Sequence, residues 1–525
     1  MGTFASALRL VRAGWIMARE GVFLAIPDAD FPGGAAFGLK LARTFARRSA
    51  RHRDGTQSLS KAANRLGPSY VKLGQFLATR PDVVGREIAD DLSNLQDRIP
   101  PFPVADARRT VTRALGRPAD EMFADFSEPV AAASIAQVHR ARVAGADGVE
   151  RDVAIKVIRP GVRERFHRDN QAFLLASRLQ EHFIASAKRL KPVEVSHTLE
   201  RTTRMEMDLR LEAAALSEMA ENTRNDAGFR VPAVNWELTA RDVLTMEWID
   251  GVRMSDIDGL KRAGHDLKAL AAGVVQHFLR HALRDGFFHA DMHPGNLFVD
   301  ASGTIVAVDL GISGRLDSLS RRVLAEILYG FITRDYRRVA EVHFEAGYVP
   351  GHHSVEDFAQ AIRAIGEPIH GQSAASISMA RLLTLLFEVT ELFDMTTRTE
   401  LILLQKTMVV VEGVARSLDP DFDMWKTAEP VVAGWIADNL GPKAALADAR
   451  AGLSAAVRIA REAPAFAERL ERLSRQADIM AANGLRFDAE TAEAIGRAEA
   501  RHGRSGRIAL WIIAAAATYL AVTLG

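Results

Sequence analysis

A chain of 525 residues with 48% hydrophobic composition is long enough for about three domains at the usual domain length. Its 67 basic and 66 acidic residues nearly balance, so no overall field favours a nucleic acid as partner. The absence of cysteine excludes disulfides, thiolate metal sites and cysteine nucleophiles, and it fits a reducing location that faces the cytoplasm.

The first residues have the pattern of an amphipathic helix. Four large apolar residues fall on one helical stripe, as in a helix that lies in a membrane interface: Phe4, Leu8, Val11 and Trp15. A basic run follows at 40–53, for which a solvated helix face and a contact with anionic lipid are equally compatible interpretations. We therefore expect residues 1–58 to be a membrane-proximal segment.

Residues 59–120 are expected to form a helical extension that leads into the main fold. The apolar residues recur at helical spacing, and Gly67-Pro68 is typical of a helix start. The apolar pattern gives no reason for Lys72 and Gln75 to flank Gly74.

From about residue 121 the composition changes towards β structure, and we expect a strand-rich lobe that ends near residue 250. Five short strands are predicted, at 123–129, 135–143, 153–158, 230–236 and 243–249. The acidic residues of the helical stretch 196–222 include Glu206, Asp208 and Glu212. On a helix, Glu206 and Asp208, two positions apart, point in different directions, whereas Asp208 and Glu212, four positions apart, share a face. We therefore expect the three acids to have different roles. A solvated helix face is the alternative for each.

The third predicted strand contains a candidate phosphate ligand. A lysine such as Lys156, which follows Val-Ala-Ile on this strand, can reach phosphate oxygens when a helix glutamate fixes it, although alone it also fits a surface lysine. Between the first two strands, Ala132, Ala133 and Ser134 lie where a nucleotide-binding fold of this order usually has glycines. Alanine narrows the accessible backbone angles, so we expect the nucleotide to bind in a different pose.

Several candidate catalytic and metal-binding residues lie close together in the segment 289–311. Asp291 can accept a hydroxyl proton, Asn296 can hold Mg²⁺, and Asp309 at a strand end can bridge Mg²⁺ to phosphates. Strings of the HxD and DxG type also occur by chance in solvated loops. Their order here, with an apolar strand at 305–308 between them, predicts a metal–triphosphate site.

The rest of the chain is predicted to be mostly helical, with a lobe at 251–435 and a motif-free region at 436–507. Residues 508–525 carry no charge and would span about 27 Å as a helix, close to the ~30 Å hydrocarbon thickness. Basic residues precede them, which would leave the catalytic bulk in the cytoplasm. A buried C-terminal helix is the alternative to this membrane anchor.

Over about residues 60–430 the chain resembles the UbiB family of atypical protein-kinase-like proteins, which is linked to ubiquinone biosynthesis. Motifs in the family's order carry the resemblance: Lys72-Leu-Gly-Gln75, AAAS at 131–134, VAIK at 153–156, Glu206-Met-Asp208, HADMHPGN at 289–296 and DLG at 309–311. Met292 stands where the family usually has proline, and Leu310 where kinases usually have phenylalanine. The resemblance implies an α+β, two-lobe, atypical protein-kinase-like fold with added N-terminal helices and a hydrophobic C-terminal tail helix.

The resemblance also implies site roles. Lys156 would contact the nucleotide phosphates and pair with Glu212, beside the Ala132, Ala133 and Ser134 loop. Asp291 would be the catalytic-loop carboxylate, with Asn296 and Asp309 as metal ligands. Lys72 and Gln75 would reach towards Glu206 and Asp208, where a protein substrate would otherwise lie. The implied cofactors are ATP and Mg²⁺. The implied partners are membrane lipids and isoprenoid quinone precursors or quinone-biosynthesis proteins.

Two other functions remain open at this point. A small-molecule phosphotransferase would share the HxDxxxxN and DxG motifs, although the leading helix and the alanine loop argue against it. The second is a scaffold that binds nucleotide without turnover. The presence of the candidate site residues weighs against it: Lys156, Asp291, Asn296 and Asp309. Direct hydroxylation is disfavoured, because the sequence has no dinucleotide fingerprint and no evident iron or flavin ligand set.

Overall fold

The computed structural model describes residues 2–24, 43–46, 58–78, 86–93, 100–145, 147–183, 191–371, 392–395 and 399–441, with positions 84, 95 and 389. Contacts divide the chain into two units, residues 1–436 and 437–525. The predicted membrane anchor at 508–525 and most of the helical region at 436–507 lie outside the described residues.

Helices make up most of the described chain. They are α1 (Gly2–Glu20), α2 (Ser58–Leu66), α3 (Pro68–Ala78), α4 (Arg86–Ser93), α5 (Val104–Leu115), α6 (Ala119–Met122), α7 (Val162–Phe183), α8 (Pro192–Glu206), α9 (Leu209–Asn222), α10 (Ile257–Arg262), α11 (Leu267–Arg280), α12 (Ser318–Thr333), α13 (Tyr336–Glu345), α14 (Val355–Gly371), α15 (Thr399–Leu418) and α16 (Met424–Leu440).

The strands form three sheets. They are β1 (Pro129–Ala132), β2 (Ala136–Ala144), β3 (Glu150–Ile158), β4 (Phe229–Arg230), β5 (Val243–Glu247), β6 (Gly251–Arg253), β7 (Phe287–His289), β8 (Leu297–Asp300), β9 (Ile305–Ala307) and β10 (Ser313–Arg315). The small lobe holds the antiparallel sheet β1-β2-β3-β5, and the other sheets are β4-β9-β8-β6 and β7-β10. Mixed sheets and helices in this order confirm the expected α+β, kinase-like fold with added N-terminal helices.

Alternation along β3 decides where Lys156 points. Ile155 and Val157 face outwards and pack in a cluster with residues of α5 and α6. Ala154 and Ile158 face the opposite way, into the main core that includes α9 and α11. Because successive side chains of a strand alternate, Lys156 lies on the inner face with Ala154 and Ile158.

The first strand differs from the prediction. In the predicted range 123–129 the structure has an isolated bridge, Ala124 to Arg142, and only Pro129 belongs to a strand. Asp125 adopts a positive φ of 50°, which interrupts an extended run, so β1 begins at Pro129 and includes part of the expected alanine loop. The predicted strand 230–236 is also shorter, because Pro232 has no backbone N–H to donate to a ladder.

The leading helices explain the glycine of the Lys72–Gln75 motif. Gly67, with a φ of 102°, ends α2, so Pro68 begins the second helix of this region and not the first. A Cβ placed on Gly74 would overlap Leu95 Cδ1 and lie 3.1 Å from Leu92 Cδ2. A side chain at position 74 would therefore require the buried leucine side chains to move away from α3.

One face of α1 packs on the protein and the other does not. Ser6, Ala13 and Ala18 are buried, whereas the predicted apolar stripe, Phe4, Leu8, Val11 and Trp15, is between 47% and 81% exposed. The Trp15 ring lies 5.0 Å from that of Phe45. Among the helices within the described ranges, none combines the length and the apolar character that spanning a bilayer requires.

A π-helical turn at His281–Asp285 connects α11 to β7, and its Arg284 anchors the C-terminal end of α9. Arg284 donates to Asp226 at 2.6 and 3.0 Å and to the carbonyl oxygen of Asn222, the last residue of α9, at 2.9 Å. At the other end, the Leu209 N–H donates to the Arg241 carbonyl at 3.1 Å. The two ends of α9 are therefore bonded to different parts of the fold.

Candidate functional site

Lys156 is the centre of a three-residue ion cluster. Its ammonium donates to Glu212 Oε1 and Oε2 at 2.7 and 2.9 Å and to Asp309 Oδ2 at 2.9 Å. The side chains of Lys156 and Glu212 are only 12% and 6% exposed, whereas that of Asp309 is 41% exposed. The structure thus pairs Lys156 with Glu212, as the family resemblance implied, and adds a contact between Lys156 and Asp309 that was not predicted.

Burial and neighbouring charges shift the pKa values of this cluster in opposite directions. Burial raises the pKa of Glu212 to about 7, against the attraction of Lys156. Burial disfavours the charged form of Lys156, but the carboxylates of Asp309 and Glu212 outweigh it and raise the pKa. For Asp309, burial is outweighed by the Lys156 ammonium and by the Gly311 N–H, which hold its pKa well below the usual range.

The turn that carries Asp291 and Asn296 begins where β7 ends. The Asp291 N–H donates to His289 Nδ1 at 3.1 Å, and Asn296 Nδ2 donates to Asp291 O and Oδ2 at 3.1 and 3.3 Å. Behind the turn, Thr407 Oγ1 on α15 donates to the Ala290 carbonyl at 3.0 Å. Burial lowers the pKa of His289 in spite of nearby Asp291 and Asp309, so a neutral ring supports the turn.

The donor chemistry of the site fits Mg²⁺. The Val308 N–H donates to the Asn296 carbonyl at 3.0 Å, so the residue before Asp309 lies beside Asn296. Because the Asn296 amide nitrogen bonds to Asp291, the side-chain oxygen is the atom left to face a cation. Mg²⁺ prefers oxygen ligands of the carboxylate and carbonyl type. Asn296 and Asp309 would hold it, and Asp291 would remain for a hydroxyl or a water.

The Ala132–Ser134 segment forms the turn between β1 and β2. Ala132 pairs with Gln137, and the Ala133 N–H donates to the Ala136 carbonyl at 2.8 Å. Ser134 is fully buried. Arg159, just after β3, donates to the Ala133 carbonyl at 3.1 Å, which fixes the turn near the end of the strand that carries Lys156.

The leading helix reaches the acidic motif at one point. Lys72 Nζ lies 2.7 Å from Glu206 Oε2, and both side chains are largely buried. Gln75 is one turn further along α3 and half-buried. Asp208 precedes α9 as its N-cap, and both its oxygens accept from the Arg210 side chain, at 2.9 and 2.7 Å. These hydrogen bonds from Arg210 lower the pKa of Asp208.

A buried polar network in the small lobe was not anticipated. Gln137 Oε1 accepts from the Phe102 N–H at 2.9 Å, and Gln137 Nε2 donates to the Phe102 carbonyl at 3.1 Å and to His139 Nε2 at 2.9 Å. His139 Nδ1 donates to the Ser127 carbonyl at 2.8 Å. Burial lowers the pKa of His139, which keeps it neutral. The available signal was the alternation of Gln137 and His139 with apolar residues at the start of a predicted strand.

Comparison with known proteins gives the same family. The family description "ABC1 atypical kinase-like domain" matches residues 94–343, and "UbiB helical domain" matches residues 362–423. A "Probable protein kinase UbiB" of Marinobacter nauticus is 38% identical over 439 residues, which cover 83% of this chain and 79% of that protein. A protein of the same description from Pseudomonas putida is 41% identical over 391 residues, with 74% and 72% covered.

Among solved structures, the Rv3197–erythromycin complex from Mycobacterium tuberculosis is similar, with 26% identity and a TM-score of 0.47. The similarity covers 71% of this chain and 95% of that one. Identity above 30% over most of both chains, in the two bacterial relatives, establishes the relationship. The chain belongs to the UbiB family of atypical protein-kinase-like proteins.

Proposed function

We propose that this protein is a membrane-associated atypical kinase or ATPase that binds Mg-ATP and supports ubiquinone biosynthesis. In this proposal it acts on lipid quinone precursors or presents them to other enzymes. The observation that supports it most directly is the ion cluster of Lys156, Glu212 and Asp309, with contacts of 2.7 to 2.9 Å. A lysine held in this way is fixed for phosphate oxygens, and an adjacent carboxylate suits the metal.

Each residue has a role in this proposal. Mg-ATP, when bound, supplies the phosphoryl group. Lys156, positioned by Glu212, would neutralise phosphate charge, and Asn296 with Asp309 would bind the metal. Asp291, oriented by the Asn296 amide and by its own N–H bond to His289, would orient and deprotonate the attacking hydroxyl or water.

The leading helices favour a small acceptor or water over a protein substrate. Lys72 on α3 forms a largely buried ion pair with Glu206 at the end of α8. A helix bonded there would occupy the side of the cleft at which a polypeptide substrate of a protein kinase would lie. ATP hydrolysis, or phosphoryl transfer to a small molecule, is therefore the reaction that we propose.

Membrane association has two supports. The exposed stripe of α1, Phe4, Leu8, Val11 and Trp15, has the character of an interfacial helix, and the uncharged segment 508–525 has the composition of an anchor. In the proposed orientation the catalytic domain faces the cytoplasm. If α1 is an anchor, Leu8→Glu reduces sedimentation with liposomes of protein that lacks 508–525, whereas Leu392→Glu, which changes a similarly exposed leucine elsewhere, leaves it unchanged.

The decisive experiment follows the γ-phosphate of Mg-ATP, using full-length protein on liposomes that contain a quinone precursor. Release as inorganic phosphate that is lost in Asp291→Asn supports the ATPase form of the proposal. Transfer to a small molecule makes the protein a phosphotransferase. Nucleotide binding with no turnover in the wild-type protein favours a scaffold and contradicts the enzymatic proposal.

A further inference from the structure

Two groups of histidine and aspartate side chains in the described part of the chain are close enough to share one metal ion. The first is buried and contains Asp226, His277 and His281. Its carboxylate already accepts two hydrogen bonds from the Arg284 guanidinium, at 2.6 and 3.0 Å. That cation compensates the charge of Asp226, so a divalent metal would be repelled from this first group.

The second group has a different electrostatic setting. His352 and His353 both direct Nε2 towards one atom, Asp394 Oδ2, at 3.8 and 3.5 Å. Within the described residues, no arginine or lysine forms an ion pair with Asp394. His353 Nε2 is buried and forms no hydrogen bond with any residue that the structure describes. Two imidazole nitrogens and a carboxylate oxygen thus converge without a competing cation.

The backbones that carry these three ligands are fixed by the core. Phe393, next to Asp394, is buried and packs on the Phe358 ring of α14, with ring centres 5.0 Å apart. The same Phe393 ring lies 5.2 Å from the His353 ring. Ser354, which follows His353, accepts at its hydroxyl from the Asp357 N–H at the start of α14. The ligands are therefore held close together before any ion binds, which reduces the cost of assembling the site.

We propose that His352, His353 and Asp394 bind one divalent transition-metal ion, with Zn²⁺ as the best fit. Tetrahedral zinc with bonds of about 2.0 to 2.2 Å places its ligand atoms roughly 3.4 Å apart. The two histidine–aspartate separations, 3.8 and 3.5 Å, are within a few tenths of an ångström of this value, and all three ligand atoms lie within 4.8 Å of one another. Imidazole ligands favour Zn²⁺, Co²⁺ or Ni²⁺ over Mg²⁺, which separates this site from the nucleotide site. The exposed side of Asp394 leaves room for a water as the fourth ligand.

The ion would connect two distant parts of the chain. His352 and His353 precede α14, whereas Asp394 lies shortly before α15. A metal shared between them would hold these two segments of the helical lobe together, as a crosslink does. The proposal does not depend on ATP chemistry, so it stands or fails separately from the proposed function.

The test uses full-length protein without an affinity tag, stripped of metal by a chelator and titrated with Co²⁺. We expect one equivalent to bind with a visible ligand-field band, Zn²⁺ to displace it, and millimolar Mg²⁺ to leave it in place. Zn²⁺ should also raise the melting temperature of the wild-type protein. Asp394→Asn and His353→Ala should each lower Co²⁺ affinity at least about tenfold and remove the Zn²⁺-dependent rise.

Two control variants make the result specific. His281→Gln changes the buried group and His167→Ala changes an exposed histidine elsewhere, and both should bind Co²⁺ as the wild-type protein does. Binding that persists in Asp394→Asn and His353→Ala overturns the proposal. Loss of binding in His281→Gln alone moves the site to the buried group and also overturns it.

Discussion

The pairing of Lys156 with Glu212 makes a quantitative prediction about pH. Lys156→Met removes the ammonium and leaves Glu212, which is only 6% exposed, without its counter-charge. Loss of one partner of a buried ion pair costs about 3 to 5 kcal/mol. Asp309 adds little to this cost, because its side chain is 41% exposed and can be hydrated.

The size of the loss should depend on pH, with a defined sign. In the wild-type protein the pKa of Glu212 is about 7, and it is held down by Lys156, so removal of the lysine raises it further. Above pH 7 the folded variant therefore keeps a proton that its unfolded form has released. Its free energy of unfolding falls by about 1.4 kcal/mol per pH unit, while the contribution of Glu212 in the wild-type protein stays level.

Between pH 7 and 8.5 the destabilisation caused by Lys156→Met should thus grow by about 2 kcal/mol. Urea denaturation followed by circular dichroism at several pH values measures it. The control is the double variant Lys156→Met with Glu212→Gln, which lacks the acid that titrates in this range and should differ in stability from the wild-type protein by an amount that does not depend on pH. The reasoning is refuted if the loss of stability in Lys156→Met is constant from pH 7 to 8.5. It is also refuted if the double variant shows the same dependence of stability on pH.

Three further predictions concern single contacts. Asp309→Asn should abolish thermal stabilisation by Mg-ATP while leaving the fold intact, and unchanged stabilisation would remove it from the metal site. Gly74→Val should cost about 2 kcal/mol in urea denaturation because its side chain overlaps Leu95, and a neutral result would mean that the chain near α4 moves easily. Arg284→Gln should cost about 2 kcal/mol at pH 7, since the buried Asp226 loses charged hydrogen bonds but Arg284 is 40% exposed. Because pairing lowers the pKa of Asp226, its stabilisation of the wild-type protein is present above the unfolded pKa near 4 and is lost as the pH falls below it. The stability difference between the wild-type protein and Arg284→Gln should therefore shrink in acid.

The local chemistry of the site could be predicted from sequence because short-range geometry determines it. Asp291 and Asn296 lie five positions apart in one turn, and the asparagine amide bonds directly to that aspartate. Lys156 and Glu212 are 56 positions apart, so only the family resemblance supplied their pairing before the structure showed it. The roles of these residues in catalysis remain predictions.

The parts of the fold that were missed depend on partners distant in sequence. β6, β7 and β10 have three residues each, too few for a periodic pattern, and they exist because neighbouring strands pair with them. The break between α8 and α9 is another case. The segment has helical composition throughout, but Asp208 accepts from the Arg210 N–H and caps a new helix.

The bonds at the two ends of α9 constrain how the lobes can open. Glu212 lies ten residues from Asn222, or about 15 Å along the helix axis. With Asn222 pinned by Arg284, opening the cleft makes α9 tilt about that point, and a tilt of 10° displaces Glu212 by about 2.6 Å. A displacement of that size, close to the 2.7 Å length of the Glu212–Lys156 hydrogen bond, would break the pair if Lys156 stayed in place. Leu209, at the other end of α9, donates to the carbonyl of Arg241 beside β5 of the sheet that carries Lys156, so Glu212 would shift together with Lys156 and the ion pair would be kept as the lobes open.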